Sequence, residues 1–172
     1  DGLASLFSPE HGFFGIAAAG EKVDSVRHPL WDIPVHSLYG KTRRPNRAML
    51  DGLDALVFDL QDLSIRCYTY VSTLRYVLEA AAERGVTVIV CDRPNPLAGI
   101  VDGPLLDPRF ESFVGNVPGP LVYGLTSGQA ARHLQRVLKL NVDLTVMPAH
   151  ATGATGHTWI SPSPAIRHPH TA

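Results

Sequence analysis

Val-Thr-Val-Ile-Val-Cys at residues 86–91 is the clearest strand in the sequence, because β-branched residues dominate it. It follows a segment, residues 71–84, in which apolar positions recur every three or four residues as in a helix. Gly85 between the two suits a helix end. Another apolar run, Ala-Leu-Val-Phe-Asp-Leu at residues 55–60, precedes the helix. This strand–helix–strand order predicts two parallel strands joined by a helix.

The same alternation extends to both sides of this unit and predicts a layered α/β fold with a mostly parallel sheet. The sequence Thr-Ser-Gly-Gln at residues 126–129 fits a capping box, which marks the start of a helix. The further predicted elements are strands at residues 3–7, 33–38 and 142–147, a short helix at residues 45–53, and a helix from about Thr126 to Leu138.

The composition indicates a globular chain. Of 172 residues, 45% are hydrophobic and 18% are charged. The net charge is −1 and no basic block occurs, so nucleic acid is not an expected partner. No apolar run reaches the ~20 residues of a membrane-spanning helix. Two cysteines, Cys67 and Cys91, are expected to be small core residues and not a disulfide framework.

Polar side chains directly follow three of the predicted strands. They are Glu10 and His11, Gln61 and Asp62, and Asp92, Arg93 and Asn95. Because parallel strands end at one edge of a sheet, where ligands bind in such folds, we expect these groups to converge there. Glu10 is then a candidate general acid or base, with His11 orienting it or binding substrate. The alternatives are structural: solvated turns, an Arg66–Asp62 ion pair, and Asp92 capping nearby amides.

Tyr68 and Tyr70 precede the helix at residues 71–84. Two residues apart, they face the same side of an extended segment. Aromatic rings with hydroxyl groups suit a sugar, which has apolar faces and polar edges. The alternative is that both rings pack in the core with satisfied hydroxyls.

Signatures of several other functions are absent from the sequence. No Gly-x-Gly-x-x-Gly follows a strand, and there is no phosphate-binding Gly-Lys-Ser/Thr loop and no Gly-x-Ser-x-Gly. The histidines do not fall at zinc spacing with acidic partners, and His168 with His170 is interpreted as part of a frayed tail. We therefore expect no metal ion and no cofactor.

Seven motifs, taken in order, resemble one bacterial family. They are Phe-Ser-Pro-Glu-His-Gly (7–12), Ala-Gly-Glu (19–21), Pro-Val-His-Ser-Leu-Tyr-Gly-Lys-Thr (34–42), Val-Phe-Asp-Leu-Gln-Asp (57–62), Arg-Cys-Tyr-Thr-Tyr-Val-Ser-Thr (66–73), Asp-Arg-Pro-Asn-Pro (92–96) and Asp-Gly-Pro-Leu-Leu-Asp (102–107). The set resembles the exo-β-N-acetylmuramidase family (NamZ type), long catalogued as a domain of unknown function. The chain departs from it at Phe14, where the family usually has an arginine, and at Ser64-Ile65, where it usually has a glycine.

The resemblance implies a glycoside hydrolase that releases N-acetylmuramic acid from the non-reducing end of peptidoglycan fragments. It implies a Rossmann-like N-terminal domain with helices on both faces of the sheet, here residues 1–148 and truncated at both ends. Residues 149–172 are then a linker to a missing C-terminal domain that would complete the cleft, and an inactive fragment is one expected outcome. The family favours a secreted or cell-envelope protein, although this chain shows no signal peptide.

The family's glutamate falls on Glu10, which the resemblance makes catalytic, and the second carboxylate is Asp62 or Glu79. The expected substrate-binding residues are His11, Gln61, Arg66, Tyr68, Tyr70, Asp92, Arg93 and Asn95. As a general acid, Glu10 needs a pKa raised by a desolvating pocket. Substrate-assisted attack by the 2-acetamido group is the alternative mechanism, with Asp62 orienting the amide. The alternative function is a non-catalytic sugar- or peptidoglycan-binding module, whereas the missing glycine fingerprint disfavours a nucleotide-binding domain.

Overall fold

The computed structural model describes residues 2–149 of the chain. From residue 150 onward, the expected linker and the His168 and His170 pair lie outside the described residues. The strands are β1 (Leu6–Ser8), β2 (Val26–Arg27), β3 (Pro34–Ser37), β4 (Ala55–Phe58), β5 (Thr87–Cys91), β6 (Asp102–Leu105), β7 (Pro120–Val122) and β8 (Leu144–Met147). The helices are α1 (Arg47–Leu50), α2 (Tyr70–Arg84) and α3 (Ser127–Val137), with a 3-10 turn at Pro108–Phe110.

The central sheet has the strand order β4–β5–β8 and is parallel throughout. The chain passes through α2 between β4 and β5 and through α3 before β8, so the predicted alternation is confirmed. Leu56 and Phe58 of β4 and Val88 and Val90 of β5 are buried in one core with the apolar stripes of α2 and α3. On the other face Val57 is 59% exposed. Both long helices therefore pack against the same face of this sheet, whereas the resemblance implied helices on both faces.

Local sequence signals fix the ends of the two long helices. Gly85 ends α2 in the left-handed conformation (φ 66°), and its N–H bonds to the carbonyl of Ala81. At the start of α3, the Thr126 hydroxyl accepts from the Gln129 N–H, and the Gln129 side chain accepts from the Thr126 N–H at 3.0 Å. The predicted glycine cap and capping box are both confirmed.

β1 belongs to a different sheet from β4. Its sheet has the order β1–β3–β2, with β1 parallel and β2 antiparallel to β3. The single sheet that we expected is therefore two sheets in the described part of the chain, since no backbone ladder joins β1 to β4. A cavity of about 1010 Å³ is lined by both strands and by Tyr70 and Val77 of α2.

In the sequence between α2 and α3, the strands β6 and β7 form an antiparallel pair, and Ile65 forms a bridge to Val122 of β7. Cys91 is half-buried and Cys67 is exposed, and neither forms a disulfide. The prediction of a core position was wrong for Cys67, because it lies in the turn before α2. Among the described residues, no helix combines the length and the apolar character needed to cross a bilayer.

Candidate active site

Glu10 lies in the turn that follows β1. His11 (φ 72°) and Gly12 (φ 76°) both have left-handed backbone, which reverses the chain directly after it. The Glu10 side chain is buried, and its oxygens accept two hydrogen bonds. The Gly20 N–H donates to Oε1 at 2.7 Å, and the Thr69 hydroxyl donates to Oε2 at 2.5 Å. Glu10 is thus held by a loop on one side and by the start of α2 on the other.

The pKa of Glu10 lies below its ordinary value. Burial raises this pKa, but the hydrogen bonds from Thr69 and from the Gly20 N–H, the nearby Tyr39 hydroxyl and the charge of His11 lower it by more. The raised pKa that we expected for a general acid was therefore wrong. Glu10 is an ionised carboxylate at neutral pH.

At Asp62, in contrast to Glu10, burial raises the pKa by more than hydrogen bonds lower it. The residue is 3% exposed, and burial raises the pKa of its carboxyl group to about 6, although hydrogen bonds oppose the shift. Oδ2 accepts from the Tyr123 hydroxyl and, at 3.2 Å, from the Ser64 N–H. Oδ1 is buried and has no partner among the described residues. A carboxyl group that titrates near neutral pH and keeps one oxygen free is suited to proton transfer.

Two tyrosines lie near these carboxyl groups. The rings of Tyr68 and Tyr70 meet edge to face with centroids 5.1 Å apart, and the Tyr70 hydroxyl is 3.5 Å from the Glu10 carbonyl oxygen. Burial raises the pKa of Tyr68 most, and the charges of Tyr70, Asp62 and Glu10 raise it further. Tyr68 is therefore near both carboxyl groups. Its hydroxyl is buried and unpaired within residues 2–149.

Each carboxyl group is followed closely by a non-glycine residue in left-handed conformation. These residues are His11 (φ 72°) and Ser64 (φ 59°), and such backbone costs about 1–3 kcal/mol. Side-chain contacts hold both in place: His11 Nδ1 is 2.9 Å from the Ala17 carbonyl oxygen, and the Ser64 hydroxyl donates to the Leu125 carbonyl at 2.6 Å. Strained backbone thus lies at both candidate catalytic groups.

Gln61 and Asn95 connect the loops that follow β4 and β5. The side-chain amide of Gln61 donates to the Pro94 carbonyl at 2.9 Å, and that of Asn95 donates to the Asp62 carbonyl at 3.0 Å. Both residues therefore fix the backbone that carries Asp62. Their expected role in substrate binding stays a prediction.

Asp92 is directed toward the first turn of α3. Its Oδ1 accepts from the Gly128 N–H and its Oδ2 from the Thr126 hydroxyl, each at 2.8 Å. A Cβ at Gly128 would lie 2.9 Å from the Asp92 Cγ, so glycine permits this approach. The neighbouring Arg93 pairs with Asp59 at 2.7 Å. These contacts correspond to the helix-capping interpretation of Asp92.

Arg66 donates to main-chain carbonyls and not to Asp62. Its Nη1 donates to the Gly119 carbonyl at 2.6 Å and to the Pro104 carbonyl at 3.2 Å, and its backbone N–H donates to the Leu121 carbonyl at 2.8 Å. Arg66 therefore holds β6 and β7 against the segment before α2.

Glu79 lies away from the other two candidate carboxylates. It is nine residues along α2 from Tyr70, about 13 Å further up the helix. Its Oε1 accepts from Arg75 at 2.7 Å, and its other oxygen is 3.9 Å from Arg44. The structure therefore brings Asp62, and not Glu79, to the tyrosines beside Glu10.

The large cavity and the carboxyl pair are in different places. The cavity between β1 and β4 is lined by Pro9, Gly12 and Tyr70 but by neither Glu10 nor Asp62. Within the described part of the chain, no three His, Cys, Asp or Glu side chains come together as metal ligands. The site itself presents two carboxyl groups and two tyrosines.

A family model described as "Exo-beta-N-acetylmuramidase NamZ, N-terminal" matches residues 2–170. The chain belongs to this family. It is 46% identical over 146 residues to the peptidoglycan beta-N-acetylmuramidase NamZ of Bacillus subtilis (strain 168), a match that covers 84% of this chain and 35% of the relative. The chain thus spans about a third of the length of this curated relative.

Two solved structures share the fold of this NamZ-family chain. A DUF1343 family protein from Bacteroides fragilis NCTC 9343 superposes with a TM-score of 0.82 at 38% identity, over 98% of this chain and 44% of that protein. Another DUF1343 family protein from the same strain superposes with a TM-score of 0.72 at 34% identity, over 85% of this chain and 38% of that protein. These similarities confirm the α/β fold with its mainly parallel sheet.

Sequence reasoning missed four groups that set the electrostatics of this NamZ-family site: Gly20, Tyr39, Thr69 and Tyr123. The first three lie inside motifs quoted for the resemblance, so the motifs themselves were the available signal. Tyr123 lies outside them, 61 residues after the Asp62 that it contacts. No local pattern in the sequence connects these two residues.

Proposed function

We propose that this chain forms the N-terminal part of an exo-β-N-acetylmuramidase, with Glu10 and Asp62 as its catalytic carboxyl pair. The observation that carries the proposal is the opposite pKa shift of two buried carboxyl groups beside one tyrosine. Glycoside cleavage commonly uses one protonated and one ionised carboxyl group. Membership of the NamZ family and the name of the Bacillus subtilis relative support a substrate that ends in N-acetylmuramic acid.

In this proposal Asp62 is the proton donor. It protonates the glycosidic oxygen as the bond from that oxygen to the anomeric carbon breaks, and the bonding electrons stay on the oxygen. Its pKa of about 6 keeps part of the population protonated near neutral pH. The ionised Glu10 stabilises the positive charge that develops on the sugar ring, while Tyr68, Tyr70 and His11 contact the sugar. Water then adds to the anomeric carbon and gives a proton back to Asp62.

Substrate-assisted attack gives Asp62 a different role. The carbonyl oxygen of the 2-acetamido group would attack the anomeric carbon, and the unpartnered Oδ1 would accept the amide N–H. This role requires ionised Asp62, so activity would rise as pH increases through about 6. A proton donor would instead lose activity over the same range. The direction of the pH–rate profile therefore separates the two mechanisms.

The experiment that tests the function follows release of a chromophore from a β-glycoside of N-acetylmuramic acid, with binding of the same sugar measured in parallel. We expect release, and we expect it to be lost without Glu10. Binding without release would overturn the enzymatic proposal and would support the non-catalytic sugar-binding module. Absence of both would overturn the choice of substrate.

A further inference from the structure

The guanidinium group of Arg43, in the loop after β3, lies against two aromatic rings. Its guanidinium carbon lies 3.5 Å from the ring centroid of Tyr39 and 4.7 Å from that of Phe113. Phe113 in turn stacks on Tyr76, with centroids 5.9 Å apart. Stacking on aromatic faces fixes the plane of a guanidinium group and leaves its N–H donors at the edge.

The backbone around Arg43 is also fixed. The hydroxyl of Thr42 accepts from the Arg44 N–H at 3.1 Å and donates to the Arg44 carbonyl at 2.7 Å. The side chain of Arg44 pairs with Glu83 on α2 at 2.7 Å. The two adjacent arginines thus have different environments, because Arg44 is neutralised by α2 while Arg43 lies on the rings.

Arg43 has no acidic partner among the described residues, unlike Arg44 and Arg75. Its Nη1 is buried and has no hydrogen-bond acceptor within residues 2–149. A buried charged donor without an acceptor is unfavourable. The guanidinium is therefore preorganised for an acceptor that residues 2–149 do not supply, and a planar carboxylate matches its geometry best.

This cation lies one aromatic ring away from Glu10. Tyr39 contacts Arg43 with its ring, and its hydroxyl is close enough to Glu10 to lower the pKa of that carboxyl group. An anionic substrate that approaches an ionised Glu10 is repelled unless a cation compensates. N-acetylmuramic acid carries its carboxylate on a lactyl ether at C3, two carbons from the anomeric carbon. The reactive bond and the anion therefore belong to one sugar ring, as Glu10 and Arg43 both neighbour the one residue Tyr39.

We propose that Arg43 binds the lactyl carboxylate of the sugar and so selects N-acetylmuramic acid over neutral N-acetylhexosamines. This inference rests on the proposed function, since it places the scissile bond beside Glu10. Arg43 is a specificity-determining residue in this view and does not take part in bond cleavage. Phe113, which lies 70 positions later in the chain, is the second wall of the same site.

The test compares two ligands of nearly equal size, methyl β-N-acetylmuraminide and its methyl ester, by calorimetric titration into the 172-residue chain. We expect the wild type to prefer the acid. Arg43→Met removes that preference by weakening binding of the acid at least about tenfold, with no change for the ester. Arg43→Lys keeps the charge but loses the planar contacts, so its preference for the acid should lie between those of the wild type and Arg43→Met.

The matched control is Arg47→Met, which makes the same change of charge at an exposed position of α1 and leaves the preference intact. Thermal unfolding of each variant shows whether it is folded. Equal loss for acid and ester, unchanged preference in folded Arg43→Met, or no binding of either ligand by the wild type would overturn the inference. An Arg43-dependent preference without chromophore release would support the role of Arg43 in binding and would overturn the catalytic proposal instead.

Discussion

The hydroxyl of Thr69 donates a hydrogen bond of 2.5 Å to Oε2 of Glu10, across 59 residues of sequence. Thr69 is the N-cap residue of α2, yet its side chain makes no capping hydrogen bond. The hydroxyl contacts Glu10 instead, so the start of the helix is tied to the turn after β1. This contact is one reason why Glu10 stays ionised although it is buried.

Removing the Thr69 hydroxyl is expected to raise the pKa of Glu10, because the variant loses a hydrogen bond that lowers this pKa while burial still raises it. Thr69→Val should lower the free energy of unfolding by about 1.5–3 kcal/mol near neutral pH, the range for a hydrogen bond to a charged group. A lowered pKa stabilises the fold above the ordinary value of 4.5, and this contribution disappears as the pH falls below it. The difference between wild type and variant, measured by urea unfolding, should therefore shrink in acid. Thr69→Ser, which keeps the hydroxyl, should behave like wild type, and an equally large loss in that variant would contradict the assignment.

Glu10→Gln keeps the size of the side chain and removes its charge. We expect turnover of the chromogenic substrate to fall by more than about a hundredfold. The circular dichroism spectrum should be retained and the unfolding midpoint should fall, because the ionised carboxylate that stabilises the fold is lost. Glu21→Gln is the matched control, since Glu21 is exposed in the loop that also contains Gly20. Turnover that survives in Glu10→Gln would exclude Glu10 from catalysis.

Asp62 should make the protein less stable as the pH rises. Its pKa is about 6 in the folded state and 3.8 without burial, so the unfolded chain binds fewer protons between these values. Stability then falls through this window and levels off above it, by an amount on the order of 3 kcal/mol. Asp62→Asn should remove the fall, and its advantage over wild type in urea unfolding should be present near neutral pH and absent near pH 3.8. An advantage that is the same at both pH values would show that Asp62 is not protonated in the fold.

Asp92→Ala should destabilise the protein without a specific effect on catalysis. The change removes the acceptors for the Thr126 hydroxyl and the Gly128 N–H, and loss of such a helix-end contact costs about 1–2 kcal/mol. Asp59→Ala, at an exposed ion pair, should cost less than about 1 kcal/mol. The measurement is the free energy of unfolding together with kcat of the folded fraction. A large loss of kcat with unchanged stability would contradict this assignment and would support the predicted role of Asp92 at the substrate.

Much of the secondary structure could be predicted because its signals are local. The apolar spacing of residues 71–84, the glycine that follows and the box at residues 126–129 each act within a few residues. Every predicted strand forms in the structure, although β1 is shorter than predicted and lies in a separate sheet. That separation escaped prediction because pairing between strands depends on backbone hydrogen bonds that no side-chain pattern encodes.

At the candidate site, the chemical groups were readable from the sequence: the carboxyl groups of Glu10 and Asp62 and the rings of Tyr68 and Tyr70. The order of the motifs likewise indicated one family. Folding sets which carboxyl group is charged and which oxygen is free, and it places Arg43 on aromatic rings with no acidic partner among residues 2–149. Those properties depend on burial and on contacts across as many as 70 residues, as between Arg43 and Phe113. A pKa reflects the local dielectric and the neighbouring dipoles, and these exist only once the chain has folded.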